Sequence, residues 1–67
     1  MRVIEMKKEG QPGKMYLHVK KNGRVDVWMT NGGPNKYYRG EWASMTKAMD
    51  AMRAIGYRSV RQYDDGK

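Results

Sequence analysis

The sequence predicts an α+β fold: an antiparallel sheet of four or five strands with a single α-helix packed on one face, in the order β-β-β-β-α-β. Three observations predict it. Short runs of alternating apolar and polar residues recur between glycine-rich turns, as expected of half-buried strands. One segment, residues 45–55, instead has apolar residues at helical spacing. A small sheet with one dry face also needs a helix to cover that face.

The clearest pattern is a β-hairpin at residues 14–30, KMYLHVKKNGRVDVWMT, in which two alternating runs flank Asn22 and Gly23. A two-residue turn would pair Val19 with Asp26 and so mix apolar and polar side chains. A three-residue loop from Lys21 to Gly23, with Gly23 left-handed, aligns the apolar residues of both runs instead. Its apolar pairs are Val19 with Val25, Leu17 with Val27, and Met15 with Met29.

The longer loop also brings polar and aromatic residues together on the opposite face of the hairpin. The pairs there are Tyr16 with Trp28, His18 with Asp26, and Lys20 with Arg24. We therefore expect one dry face and one aromatic, basic face. A cross-strand aromatic pair also stabilises a sheet by itself, so the pattern alone leaves a structural role open for Trp28.

The other strands follow from the same alternation. Met1 to Lys8 is predicted to be a first strand at an edge of the sheet, because it carries charge at both ends. Lys36 to Trp42 is predicted to be another, with Trp42 facing inward and Tyr37 and Arg39 outward. Tyr57 to Tyr63 is predicted to return as a last strand with Val60 inward, before a frayed tail at residues 64–67.

The helix is predicted from Met45 to Ile55, with Ser44 as its N-cap and Gly56 as the residue that ends it. Its apolar stripe consists of Met45, Ala48, Met49, Met52 and Ile55. Such a stripe is typical of a helix that packs on a core, although it also suits a partner-binding face.

Composition limits the classes of function. Sixty-seven residues predict one domain, residues 1–67, near the lower limit for a self-sufficient core. The absence of cysteine excludes disulfides and thiolate metal sites and favours a reducing compartment. No apolar run reaches membrane-spanning length and no signal peptide opens the chain. Beginning at Met1, the chain looks like a complete small reading frame, which predicts the cytoplasm of a bacterial or phage-infected cell.

The charge of +7 favours a polyanionic partner, above all nucleic acid. The predicted site lies on the aromatic, basic face. Lys20, Lys21, Arg24 and Arg39 are expected to contact phosphates, Tyr16, Trp28 and Tyr37 to contact bases, and His18 to lie among them. Duplex DNA is favoured, with single strands or RNA as alternatives.

Catalysis is not expected. His18 and Asp26 face each other in the predicted register, as in the orienting half of a triad, but no Ser or Thr is placed within reach. Asp64 and Asp65 have no third ligand nearby in the sequence, and no cofactor or metal is predicted. The mixed charges of the helix argue against membrane-surface binding.

A second hypothesis gives the same face to a protein partner. Tyr, Trp and Arg dominate protein–protein hot spots as well. A small, basic chain without cysteine also suits a phage-type inhibitor or adaptor that binds a host protein or nucleoprotein complex. Either way, we expect a monomer or a weak dimer.

Residues 16–54 contain a basic hairpin, a loop with Pro34 and Asn35, and then YYRGEW running into SMTKAMDAM. This pattern resembles small DNA-binding domains of the plant ethylene-response-factor type and the arm-binding amino-terminal domains of phage integrases. Those domains place a three-stranded antiparallel sheet, backed by one helix, in the major groove. In that family, a Gly and an aromatic residue close the third strand, and an Ala-rich helix opened by Ser or Thr follows. The residues of this chain at those places are Gly40, Trp42, Ser44, Ala48 and Ala51.

The resemblance implies DNA contacts by Tyr16, Lys20, Arg24, Trp28 and Arg39. The chain departs from the family pattern in two ways. Its hairpin carries fewer Arg residues in the first strand, and it adds one predicted strand before the hairpin and another after the helix.

Overall fold

A computed structural model describes residues 1–65, which form five strands and one helix. The elements are β1 (Arg2–Lys8), β2 (Lys14–Val19), β3 (Val25–Met29), β4 (Tyr37–Trp42), α1 (Met45–Ala54) and β5 (Tyr57–Asp64). Neighbouring strands are antiparallel, and their order in the sheet is β4-β3-β2-β1-β5. The predicted α+β fold and element order are confirmed.

β1 does not lie at an edge, so that prediction is wrong. It lies between β2 and β5, with Arg2 opposite Asp64 and Lys8 opposite Tyr57 on the β5 side. The reason is the connection after β4, because α1 carries the chain from that edge of the sheet to the other. The two edges are therefore β4 and β5.

The hairpin has the predicted three-residue loop and register, from Met15 opposite Met29 to Val19 opposite Val25. Gly23 has φ +86°, and its N–H donates to the Lys20 carbonyl oxygen at 2.9 Å. The Lys20 N–H donates to the Arg24 carbonyl oxygen at 2.8 Å. A left-handed glycine is therefore what allows the longer loop to align the apolar residues.

The core lies between the sheet and α1. Its buried members are Ile4, Met6, Met15, Leu17, Val25, Val27, Ala48 and Met52. Ser44 caps the helix, and its Oγ accepts from the Lys47 N–H at 3.2 Å. The helix ends at Ala54, so Ile55 is the C-cap and not part of the buried stripe. The backbone of Ile55 departs from helical geometry, and its side chain is exposed.

A β-bulge between β3 and β4 reverses the predicted facing of two tyrosines. Gly40 lies opposite Val27 but Tyr38 lies opposite Trp28, so Arg39 is the extra residue. Trp42 faces the core as predicted. Tyr37, however, lies opposite Met29 on the helix side, and Tyr38 takes the outward position. Gly40 has φ +118°, a conformation that side chains other than glycine rarely adopt.

The prediction that Val60 points inward is wrong, because β5 has a second bulge at this residue. On β5, Arg61 lies opposite Glu5 and Ser59 lies opposite Met6, which leaves Val60 without a partner on β1. Its side chain is 48% exposed. The bulge lets Tyr57 pack against the core at one end of β5 while Tyr63 lies opposite Val3 at the other.

The face of the sheet opposite α1 is called the open face here. Val3 and Glu5 lie on it, and yet both are buried. Val3 has His18 on one side and Tyr63 on the other. The open face is thus partly covered by its own side chains.

The frayed tail was predicted to begin at residue 64, but residues 64 and 65 are ordered. Asp64 belongs to β5, and the Asp65 N–H donates to the Met1 carbonyl oxygen at 2.6 Å. Pairing with the start of β1 therefore orders these two residues. Residues 66–67 of the predicted tail lie outside the described residues.

Candidate nucleic-acid interface

Three aromatic side chains cross the open face on adjacent strands, and we call them the aromatic row: Tyr16, Trp28 and Tyr38. The rings of Trp28 and Tyr38 pack edge to face, with centroids 5.1 Å apart and planes at 62°. The Lys36 ammonium lies 4.3 Å from the centroid of the Tyr16 ring, in cation–π geometry. Tyr38 is 53% exposed, and it presents a ring surface to solvent.

Two cations of the predicted site are engaged by carboxylates. Lys20 contacts Glu41 directly, and its Nζ lies 3.3 Å from Asp26 Oδ1. Arg24 Nε lies 2.9 Å from Glu41 Oε1. The pKa of the Glu41 carboxyl is lowered, most by the contact with Lys20 and then by the contact with Arg24. The contact with Glu41 raises the pKa of Lys20. This cluster of Lys20, Arg24, Asp26 and Glu41, called the paired end, has little net charge.

His18 lies opposite Asp26, as predicted, but its ring does not bond to that carboxylate. Asp26 Oδ1 instead accepts from the Tyr38 hydroxyl at 3.3 Å and contacts Lys20. His18 Nε2 is buried and has no hydrogen-bond partner among residues 1–65. Burial, then the charge of Lys36, lowers the pKa of His18 below its usual 6.5, so the imidazole is neutral at pH 7. It packs beside Trp28, with centroids 6.3 Å apart.

The opposite end of the open face carries the cations that sequence reasoning missed. Lys7 lies between Lys14 and Arg58 in the sheet, and Arg61 lies opposite Glu5. Lys36 reaches the same end over Tyr16. Through Glu5, Arg61 is in register with Tyr16, and its guanidinium carbon lies 4.4 Å from the centroid of the Tyr63 ring. We call Lys7, Lys14, Lys36 and Arg58 the cationic row.

Glu5 anchors part of the cationic row. Its Oε2 lies 2.7 Å from Lys14 Nζ, and its Oε1 lies 4.0 Å from Arg61 Nη1. Glu5 is only 5% exposed, so its carboxylate is covered by its neighbours, while the side chains of Lys14 and Arg61 reach the surface. Contact with Glu5 also raises the pKa of Lys14.

Comparisons with profiles of known families, with curated proteins and with solved structures gave no significant match. The geometry of the site is therefore the basis for the functional argument.

The remaining predicted residues lie apart from the aromatic row. Lys21 is exposed in the hairpin loop, and Arg39 is exposed at the bulge of β4. Tyr37 is 49% exposed but belongs to the helix side of the register. The structure thus brings Tyr16, His18, Lys20, Arg24 and Trp28 onto one face, replaces Tyr37 by Tyr38, and leaves Lys21 and Arg39 at its margins.

Among residues 1–65, no group of three His, Asp or Glu side chains is placed to hold a metal ion. The one helix within that range is too short and too polar to cross a lipid bilayer.

Proposed function

We propose that this protein binds nucleic acid without catalysing a reaction, and that it does so through the open face of its sheet. The observation that carries the proposal is the aromatic row bordered by cations on a face that the helix does not cover. Aromatic rings stack on bases of any sequence, while Lys and Arg neutralise neighbouring phosphates. The net charge of +7 supports a polyanionic partner of this kind.

In this proposal Trp28, Tyr38 and Tyr16 contact bases. The alternation of the sequence predicted base contact by Tyr37, but the proposal assigns this contact to Tyr38, because Tyr38 packs against Trp28. Lys21, Arg39 and the cations of the open face contact phosphates. The proposal includes a reducing cytoplasm as the compartment, since the chain has no cysteine.

Intrinsic fluorescence tests the proposal directly. A Trp42→Phe variant leaves Trp28 as the single tryptophan, and Trp42 lies on the helix side, away from the open face. Titration with mixed-sequence single-stranded and duplex DNA at low salt is expected to quench Trp28 emission. Absence of binding to both, or unchanged affinity in a folded Trp28→Leu variant, would overturn the proposal.

A protein partner is the second candidate, and the edge strand β4 favours it. Tyr37 and Tyr38 are both about half exposed there, and tyrosines at an open sheet edge suit protein recognition. A stoichiometric complex that survives nuclease treatment, together with no affinity for nucleic acid, would support this alternative.

A further inference from the structure

Resting on the proposed nucleic-acid binding, we propose a specific ligand: a single strand that runs across the β-strands. Its phosphates lie on the cationic row and its bases lie on the aromatic row.

The strand residues of the cationic row lie on β5, β1 and β2, the aromatic row lies on β2, β3 and β4, and the two rows meet on β2. On β2, Tyr16 and Lys14 are two residues apart and share the open face. On β1 and β5, the positions in line with Tyr16 are Glu5 and Arg61, so the aromatic row does not continue beyond β2. Two residues along a strand span about 7 Å. A strand that crosses the sheet can place its phosphates along Arg58, Lys7 and Lys14 and bring its bases onto the aromatic row at Tyr16, where the two rows meet.

The two ends of the open face differ in charge, and this difference determines on which side of the aromatic row the phosphates lie. At the paired end, Asp26 and Glu41 balance Lys20 and Arg24. At the other end, the cationic row has four cations, of which Lys14 pairs with Glu5, and Glu9 lies near Lys7 and Arg58. Phosphates are therefore drawn to the cationic row more strongly than to the paired end.

The width of the sheet favours a single strand over a duplex. The sheet has five strands, and at the usual spacing its two edge strands lie about 19 Å apart. A major groove about 12 Å wide does not admit that whole face. The rings of the aromatic row also require unpaired bases for stacking.

Lys36 connects the two rows. Its ammonium covers the Tyr16 ring at 4.3 Å, and it lines a hollow of about 350 Å³ together with Lys14, Gly32 and Gly33. A base that stacks on Tyr16 displaces this ammonium toward the hollow, where the adjoining phosphate lies. A second hollow, of about 320 Å³, lies beside Lys7 and Arg58 at the far end of the row.

The test compares two double variants that remove the same charge. Lys7→Gln with Arg58→Gln acts on the cationic row, and neither residue has an ion pair within residues 1–65. Lys47→Gln with Arg53→Gln is the matched control, because both residues are exposed on α1, behind the sheet. Circular dichroism and urea unfolding check that both variants fold.

The probe is a fluorescein-labelled DNA strand of about 12 nucleotides, alone or annealed to its complement. We expect the single strand to bind more tightly than the duplex. The cationic-row variant should lose about tenfold in affinity, and its salt slope should fall by about 1.4, for two lost phosphate contacts. For the control variant, the affinity should stay within about twofold of the wild type and the salt slope within about 0.3, as expected without phosphate contact.

Each other outcome overturns the inference in a recognisable way. Tighter binding of the duplex contradicts the single-strand ligand but leaves the proposed function in place. Equal losses in both variants mean that the charge acts generically and not through the cationic row. No binding to either probe overturns the proposed function itself.

Discussion

Trp28 packs edge to face against Tyr38, with ring centroids 5.1 Å apart, and Tyr37 lies on the other side of the strand. The β4 bulge at Arg39 causes this arrangement, because it shifts the register by one residue between Tyr38 and Gly40. One inserted residue thus decides which tyrosine belongs to the candidate site.

This pair of tyrosines provides a matched test of the site. Tyr38→Ala should weaken nucleic-acid binding by about 1–3 kcal/mol, the usual value of one aromatic stacking contact. Tyr37→Ala removes a side chain of nearly equal exposure, 49% against 53%, and should leave the affinity nearly unchanged. Fluorescence anisotropy with the single-stranded probe measures both. Equal losses would show that the bulge does not define the binding face.

The backbone at the bulge can be tested through stability. Gly40→Ala forces a side chain into φ +118° and should lower the free energy of unfolding by about 1–2 kcal/mol. Gly33→Ala is the control, because an added Cβ there meets only the Asn31 amide oxygen, at 3.9 Å, and should change stability by less than about 0.5 kcal/mol. Urea unfolding measures both variants, and a neutral Gly40→Ala would contradict the strained geometry.

The paired end predicts a pH dependence of folding. Lys20 and Arg24 lower the pKa of Glu41 from its usual 4.5 in the folded state. The unfolded chain therefore binds a proton there before the folded chain does. The stabilisation from this carboxylate is present above pH 4.5 and is lost as the pH falls through the lowered pKa.

Thermal unfolding at several pH values between 3 and 7 measures this effect. Glu41→Gln should unfold at a lower temperature than the wild type at pH 7, and the difference should shrink toward pH 3. Glu9→Gln is a suitable control, because Glu9 is exposed and has no ion pair among the described residues. A Glu41→Gln difference that persists at pH 3 would point to a cause other than ionisation.

The sequence predicted the hairpin correctly because its register depends on local information. Gly23 permits the longer loop, and apolar matching of Val19 with Val25 then leaves one acceptable alignment. The helix was predicted equally well for a local reason, with Ser44 and Gly56 marking its ends. Ile55 was misassigned because a one-residue error at a helix end moves a side chain off the stripe.

The errors share a different cause. Neither bulge is visible in a pattern of alternation, since Arg39 and Val60 look like ordinary members of a period-two run. The cationic row was missed because Lys7 and Arg58 are far apart in the sequence and meet only through the β1–β5 pairing. Similarly, the pairing of Lys20 with Glu41 depends on β4 lying beside β3.

The β1–β5 pairing also has a consequence for synthesis and folding. β1 precedes the other described strands in the chain, and its outer neighbour β5 is the last of them. Until β5 arrives, the hydrogen-bonding groups along one side of β1 have no strand to bind. A nascent or truncated chain that ends before Tyr57 should therefore expose a ready template for association with other chains. Completion of the sheet also requires contact between β1 and β5, which all the other described elements separate in the sequence, and this predicts slow final folding.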